Sequence, residues 1–197
     1  MTSLVYHHTD TARLPWILLS GELRPGANRI GDFPDPDFLW ATTLAVGDRT
    51  ASASRVAAQS GLTRLVRFTL KEEDFVSWPA VVEPFPAWTP DHITRLEKAA
   101  AGKSSPSTWR CRATPLPSSG WVSIETRSYT NNRWQPFDFG PPPIVMDDDC
   151  LGVWVGDTAY FSQQVAHPSG AVGYQAFTGK RSNDKAPLAV FSKWGDR

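Results

Sequence analysis

The stretch Leu4-Val5-Tyr6-His7-His8-Thr9-Asp10-Thr11-Ala12-Arg13-Leu14-Pro15-Trp16-Ile17-Leu18-Leu19-Ser20-Gly21 decides how the chain begins to fold. Residues 4–7 are a short apolar run that breaks at Thr9 and Asp10, whose side-chain oxygens suit the cap of a helix. Pro15 fits the first helical turn, where its missing N–H leaves no hydrogen bond unmade. Ile17 and Leu18 follow Leu14 at helical spacing, and Gly21 supplies the left-handed stop. The reading is a strand, a turn and a helix of about two to three turns.

Outward from this stretch, residues 25–37 are rich in Gly, Pro, Asn and Asp and predict a long loop, a length that usually serves function. Its position between His7 and Trp40 suggests a lid. Phe38-Leu39-Trp40-Ala41-Thr42-Thr43 has strand composition, residues 49–59 read as a helix, and residues 65–70 read as a half-buried strand with Val66, Phe68 and Leu70 on one face. Residues 79–90 form a proline-aromatic connector, after which Asp91 is expected to cap a helix running to Gly102. The later half reads as strands at 109–114, 121–126, 152–161 and 189–194, with residues from 130 onward forming a β-rich extension. The fold class is therefore α+β, expected as a single domain over residues 1–197.

With 197 residues, 41% hydrophobic and 20% charged, the chain has ordinary globular composition, enriched in Pro (17) and Trp (9). A formal charge of zero excludes a whole-molecule field toward nucleic acid or anionic lipid, although a local basic patch is compatible with it. The start lacks a signal-peptide pattern and no apolar run reaches the roughly 18 residues of a membrane span, so a cytoplasmic location without membrane attachment is expected. Cys111 and Cys150 stand far apart, outside any metal or redox spacing, and are expected as buried thiols. Asp147-Asp148-Asp149 lacks the spacing of a calcium loop and reads as an acidic turn. His92 and His167 lack paired ligand spacing, so no metal is expected.

The order of Tyr6-His7-His8-Thr9, the helix ending at Gly21, then Phe38-Leu39-Trp40-Ala41-Thr42-Thr43 with Arg49 beyond it, resembles the ADP-ribosyltransferase fold, and DarT-type DNA ADP-ribosyltransferases in particular. The resemblance covers roughly the first 70 residues. His8 stands where relatives often carry Gly. It implies a mixed β core of two packed sheets with a few short helices, and NAD as the substrate that donates ADP-ribose. It also implies that His7, Thr9, Trp40, Thr42 and Arg49 bind NAD, with Arg49 acting in catalysis as well.

The third element of such enzymes is a glutamate on a later strand. Of six glutamates only Glu125 ends an apolar strand. In Trp121-Val122-Ser123-Ile124-Glu125 the period of two places Trp121, Ser123 and Glu125 on one face. Ser123 occupies the place where many relatives carry Gln or Glu. Catalysis is thus expected from Glu125 and Arg49. The carboxylate would oppose positive charge building on the ribose as the glycosidic bond breaks, and Arg49 would pair with the diphosphate. Family analogy implies a nucleic-acid or protein acceptor, a toxin or defence role, and an antitoxin or immunity protein as partner. The rival expectation is a non-catalytic nucleotide-binding module, or a protein-interaction domain, on the same fold.

Overall fold

The computed structural model describes residues 3–26, 33–48, 55–166, 172–180 and 190–192. Strands in chain order are β1 (Leu4–Asp10), β2 (Glu22–Leu23), β3 (Leu39–Thr42), β4 (Leu65–Lys71), β5 (Val76–Ser77), β6 (Trp109–Arg112) and β7 (Leu116–Pro117). They continue with β8 (Trp121–Arg127), β9 (Gln135–Pro136), β10 (Ile144–Asp147), β11 (Cys150–Val155), β12 (Thr158–Ala166), β13 (Val172–Lys180) and β14 (Val190–Ser192). The helices are α1 (Leu14–Ser20), α2 (Arg55–Gln59) and α3 (Pro90–Ala100). The class is α+β with strands dominant. The strands form a seven-stranded sheet in the order β5-β6-β3-β1-β4-β8-β9, a five-stranded sheet β10-β11-β12-β13-β14 and the pair β2-β7. The chain divides into two compact units, the first built from Met1–His8, Glu22–Ser52 and Phe68–Ser123, the second from Thr9–Gly21, Ala53–Arg67 and Ile124–Arg197.

The first unit is organised by indole rings. Phe38, Trp78, Trp88 and Trp109 are buried together with Val81 and Val82, and Phe33, Trp40, Phe85 and Leu96 pack against them. Trp40 meets Trp109 edge-on at 5.7 Å and 88°, and Phe33 stacks on Trp88 at 5.6 Å and 15°. A buried indole N–H usually finds an acceptor. Trp78 Nε1 donates to Glu97 at 2.9 Å, Trp88 Nε1 to the Pro36 carbonyl at 3.1 Å and Trp109 Nε1 to Ser104 at 2.8 Å. The proline-aromatic connector is therefore core rather than linker. Thr89, not Asp91, sits at the helix cap: α3 begins at Pro90, and the Thr89 N–H donates to His92 Nδ1 at 3.2 Å.

In the second unit the β1–α1 turn is held by Asp10, which is fully buried. Its Oδ1 accepts from the N–H groups of Ala12 and Arg13 at 3.1 and 3.2 Å, and its Oδ2 from Arg13 Nη1 at 2.8 Å. Arg13 rather than Thr9 or Asp10 takes the N-cap position, so the acid organises the turn one step earlier than expected. Gly21 ends α1 with φ of 68°, a conformation that disfavours side chains with a Cβ. Trp16 on α1 donates to Ser162 on β12 at 2.8 Å.

The five-stranded sheet of this unit is an antiparallel meander. Residues 152–161, expected as one strand, are instead the two arms of a hairpin that turns at Gly156 with φ of 61°. Strands β10 and β13 were not foreseen as such. Asp148 and Asp149 form the β10–β11 turn, where the Asp149 N–H donates to Asp147 Oδ1 at 3.0 Å. Gly152 lies opposite Phe161, and a Cβ there would stand 2.5 Å from the Phe161 ring. That ring is stacked on Phe177 at 5.6 Å.

Elsewhere the sequence pattern is followed closely. Val66, Phe68 and Leu70 of β4 are all fully buried, as their alternation requires. Only residues 55–59 of the expected helix 49–59 are described, and they are helical; within the expected loop 25–37, residues 27–32 lie outside the described residues. Both cysteines are free and buried. Among the described residues no helix is long and apolar enough to cross a membrane.

Candidate functional site

The described residues of the expected site are divided between the two units. In the first unit, Tyr6 of β1 lies opposite Thr42 of the antiparallel strand β3. This register brings His7 beside the backbone of Trp40, and His7 Nδ1 lies 2.7 Å from the Trp40 carbonyl oxygen. A carbonyl only accepts, so Nδ1 carries a proton and donates it. The His7 ring also tilts against buried Phe68 at a centroid distance of 6.1 Å. His8 points to the other side of the strand, where its Nε2 reaches the Leu44 carbonyl at 3.3 Å. Two successive histidines thus tie β1 to the chain of β3.

Two other expected ligands have structural engagements. The Trp40 ring is committed to the aromatic core, and its Nε1 donates to Asp37 Oδ1 at 3.3 Å. Burial raises the pKa of Asp37, and nearby Asp35 adds to this, while the bonds from the Phe38 N–H and from Trp40 work against it. Thr42 is buried and its Oγ1 accepts from the Leu44 N–H at 3.2 Å. Thr9, in the second unit, is buried. Arg49 lies outside the described residues.

Glu125 belongs to the second unit. Strand β8 continues to Arg127, so Glu125 is not the strand terminus. Arg67 of β4 donates from Nε and Nη2 to the single oxygen Oε2 of Glu125, at 2.9 and 2.5 Å. The two side chains are only 12% and 21% exposed, which makes this a shielded ion pair rather than a surface one. The Arg67 guanidinium lies 4.6 Å from the Trp134 ring centroid, and that of Arg127 lies 5.0 Å from the same centroid. Arg64 reaches Gln135 at 3.5 Å, and Arg55 donates to the Tyr129 hydroxyl at 2.8 Å.

Sequence reasoning missed this arginine-rich environment. Arg67 was visible only as a polar residue on the open face of a half-buried strand. The available signal was the i, i+2 spacing of Glu125 and Arg127, which places both on one face of β8. Nothing in the sequence says that β4 supplies the facing arginine. No protein-family model, curated protein or solved structure matches the chain.

Proposed function

We propose that the protein is an NAD-dependent ADP-ribosyltransferase-like enzyme. The observation that carries this reading is the anchoring of His7 by the Trp40 carbonyl at 2.7 Å, which fixes the ring at the position where the resemblance expects a ribose-binding histidine. A histidine held by the backbone is already oriented, so less ordering is needed on binding. Within the second unit, Glu125 is the negative charge to which the resemblance assigns catalysis. As the bond from ribose C1′ to nicotinamide breaks, nicotinamide leaves with the bonding electron pair and positive charge builds on the ribose. A fixed carboxylate stabilises that charge more than it stabilises bound NAD. The acceptor then bonds to C1′ and gives up its proton to solvent water.

The test is calorimetric titration of NAD into the full chain. Unaltered protein should bind, and His7→Ala should weaken binding by roughly tenfold, the loss expected for one well-placed hydrogen bond. Absence of NAD binding by unaltered protein overturns the reading.

A second reading, a nucleotide-binding module without transfer, draws on the Arg67–Glu125 pair. Two guanidinium N–H groups on Oε2 offset part of the charge that transfer needs. NAD binding without turnover would select it.

A further inference from the structure

We propose that a cavity in the first unit binds a primary alkylammonium group. The site rests on lining and charge within that unit and does not depend on the transfer reaction above. Residues 33–37 and Trp40 of β3 meet Trp88 and Leu96 of α3 around the cavity, and Asp35 and Asp37 are its acidic lining. The rest is apolar, made of Phe33, Pro34, Leu96 and the two indoles, so no lysine, arginine or histidine lines it. Arg95 of α3 stands outside this lining, with its guanidinium 4.4 Å from the Phe33 ring centroid. His92 also packs on Phe33 and Trp88 from outside it, at centroid distances of 6.2 and 6.3 Å. Two acidic residues are therefore set among apolar walls that supply no positive charge.

Asp37 is the group that would receive the ligand. Its Oδ1 accepts from the Phe38 N–H at 2.7 Å and from Trp40 Nε1 at 3.3 Å. Its Oδ2 accepts no hydrogen bond among the described residues, and a Cβ on Gly26 would collide with it. Burial raises the pKa of Asp37 and Asp35 adds to this, against the two hydrogen bonds, with no cation contributing. A desolvated carboxylate without a counter-charge is costly, and a cation brought to it removes that cost. The free volume of about 20 Å³ holds roughly one water-sized group. An –NH₃⁺ head is of that size and carries three donors, whereas a quaternary ammonium is larger and carries none. Counting the open solvent at the mouth, the free space is about 320 Å³, which gives an alkyl stem a way out past Pro34 and Leu96. Aromatic walls also favour a cation over a neutral group of equal size. The shared chemistry is an ammonium on an alkyl stem, offered both by a small free amine and by a lysine side chain.

The test titrates the full chain, labelled at its indole nitrogens, with n-butylammonium in one arm and with Nα-acetyl-lysine methylamide in the other. The indole N–H resonance of Trp40 is the reporter, because that group is bonded to Asp37. A saturable shift at roughly millimolar ligand is expected in at least one arm, the range open to so few ligand atoms. Asp37→Asn keeps the size and an acceptor oxygen but removes the charge, and should weaken binding by roughly tenfold or more. Asp91→Asn, at an exposed acid of the same unit, should leave binding unchanged. Butanol, which lacks the charge, and tetramethylammonium, which exceeds the space, should each bind the unaltered protein at least about tenfold more weakly. These two comparisons hold whatever the variants do to folding. Binding of butylammonium alone assigns the site to a small free amine, and tighter binding of the lysine amide assigns it to a lysine side chain. No saturable shift in either arm, equal binding of butanol or tetramethylammonium, or equal losses in Asp37→Asn and Asp91→Asn overturns the proposal.

Discussion

Replacing Glu125 by Gln keeps its size and one acceptor oxygen while removing its charge. Its partner Arg67 is 12% exposed and donates twice to Oε2, at 2.9 and 2.5 Å. An exposed ion pair contributes about 0–1 kcal/mol, whereas breaking a fully buried one costs about 3–5 kcal/mol. Glu125 is 21% exposed, and the amide oxygen can recover one of the two hydrogen bonds, so the cost lies between these limits. We expect a loss of about 1–2 kcal/mol. At about 2–4 °C per kcal/mol for a chain of this size, Tm falls by about 2–8 °C. Arg67→Met and the double variant complete the thermodynamic cycle, with an expected coupling of about 1 kcal/mol. Single-turnover transfer should slow by about 100-fold to 1,000-fold. Unchanged Tm with no coupling refutes the ion pair, and unchanged transfer by a protein that does transfer refutes the catalytic role.

Three further outcomes follow from the packing. Gly152→Ala should destabilise the second unit by about 1–3 kcal/mol, since a Cβ 2.5 Å from Phe161 must displace a ring stacked on Phe177; an unchanged melting curve would contradict the register. For Asp37, burial makes the folded state hold its proton more tightly than the unfolded chain, so this group's contribution to stability is full at acid pH and is lost as pH rises through the raised pKa. Asp37→Asn mimics the protonated form and should raise Tm at about pH 7 but not at about pH 3; an equal difference at both would sink the argument. Burial also drives the Cys111 thiol far above its ordinary pKa, so iodoacetamide should leave it unmodified until the chain is unfolded, as peptide mass analysis can check.

What could be read from the sequence was local. Val66, Phe68 and Leu70 announce their strand because period two puts every one of them on the buried face. Asp10 was recognisable as a turn former, although its reach to the Ala12 and Arg13 amides made it a pre-helix brace rather than the cap itself. The Gly156 hairpin was hidden because apolar residues continue on both sides of it, so a ten-residue run looked like one strand. The count of nine Trp was legible, but not that Trp40 would turn its ring inward and offer its carbonyl to His7. Least legible was the facing of Arg67 and Glu125. These residues are 58 positions apart, and only strand order brings them together. A resemblance confined to the first 70 residues carries no information about that pairing.

Transfer of ADP-ribose from NAD is measured most directly by single-turnover incorporation of labelled ADP-ribose into a panel of DNA, RNA and protein acceptors. Label is expected on one acceptor class with unaltered protein, with a loss of about 100-fold or more for Glu125→Gln at a temperature where both proteins are folded. No label on any acceptor, in a preparation that calorimetry shows to bind NAD, would contradict transfer and leave a nucleotide-binding module in its place.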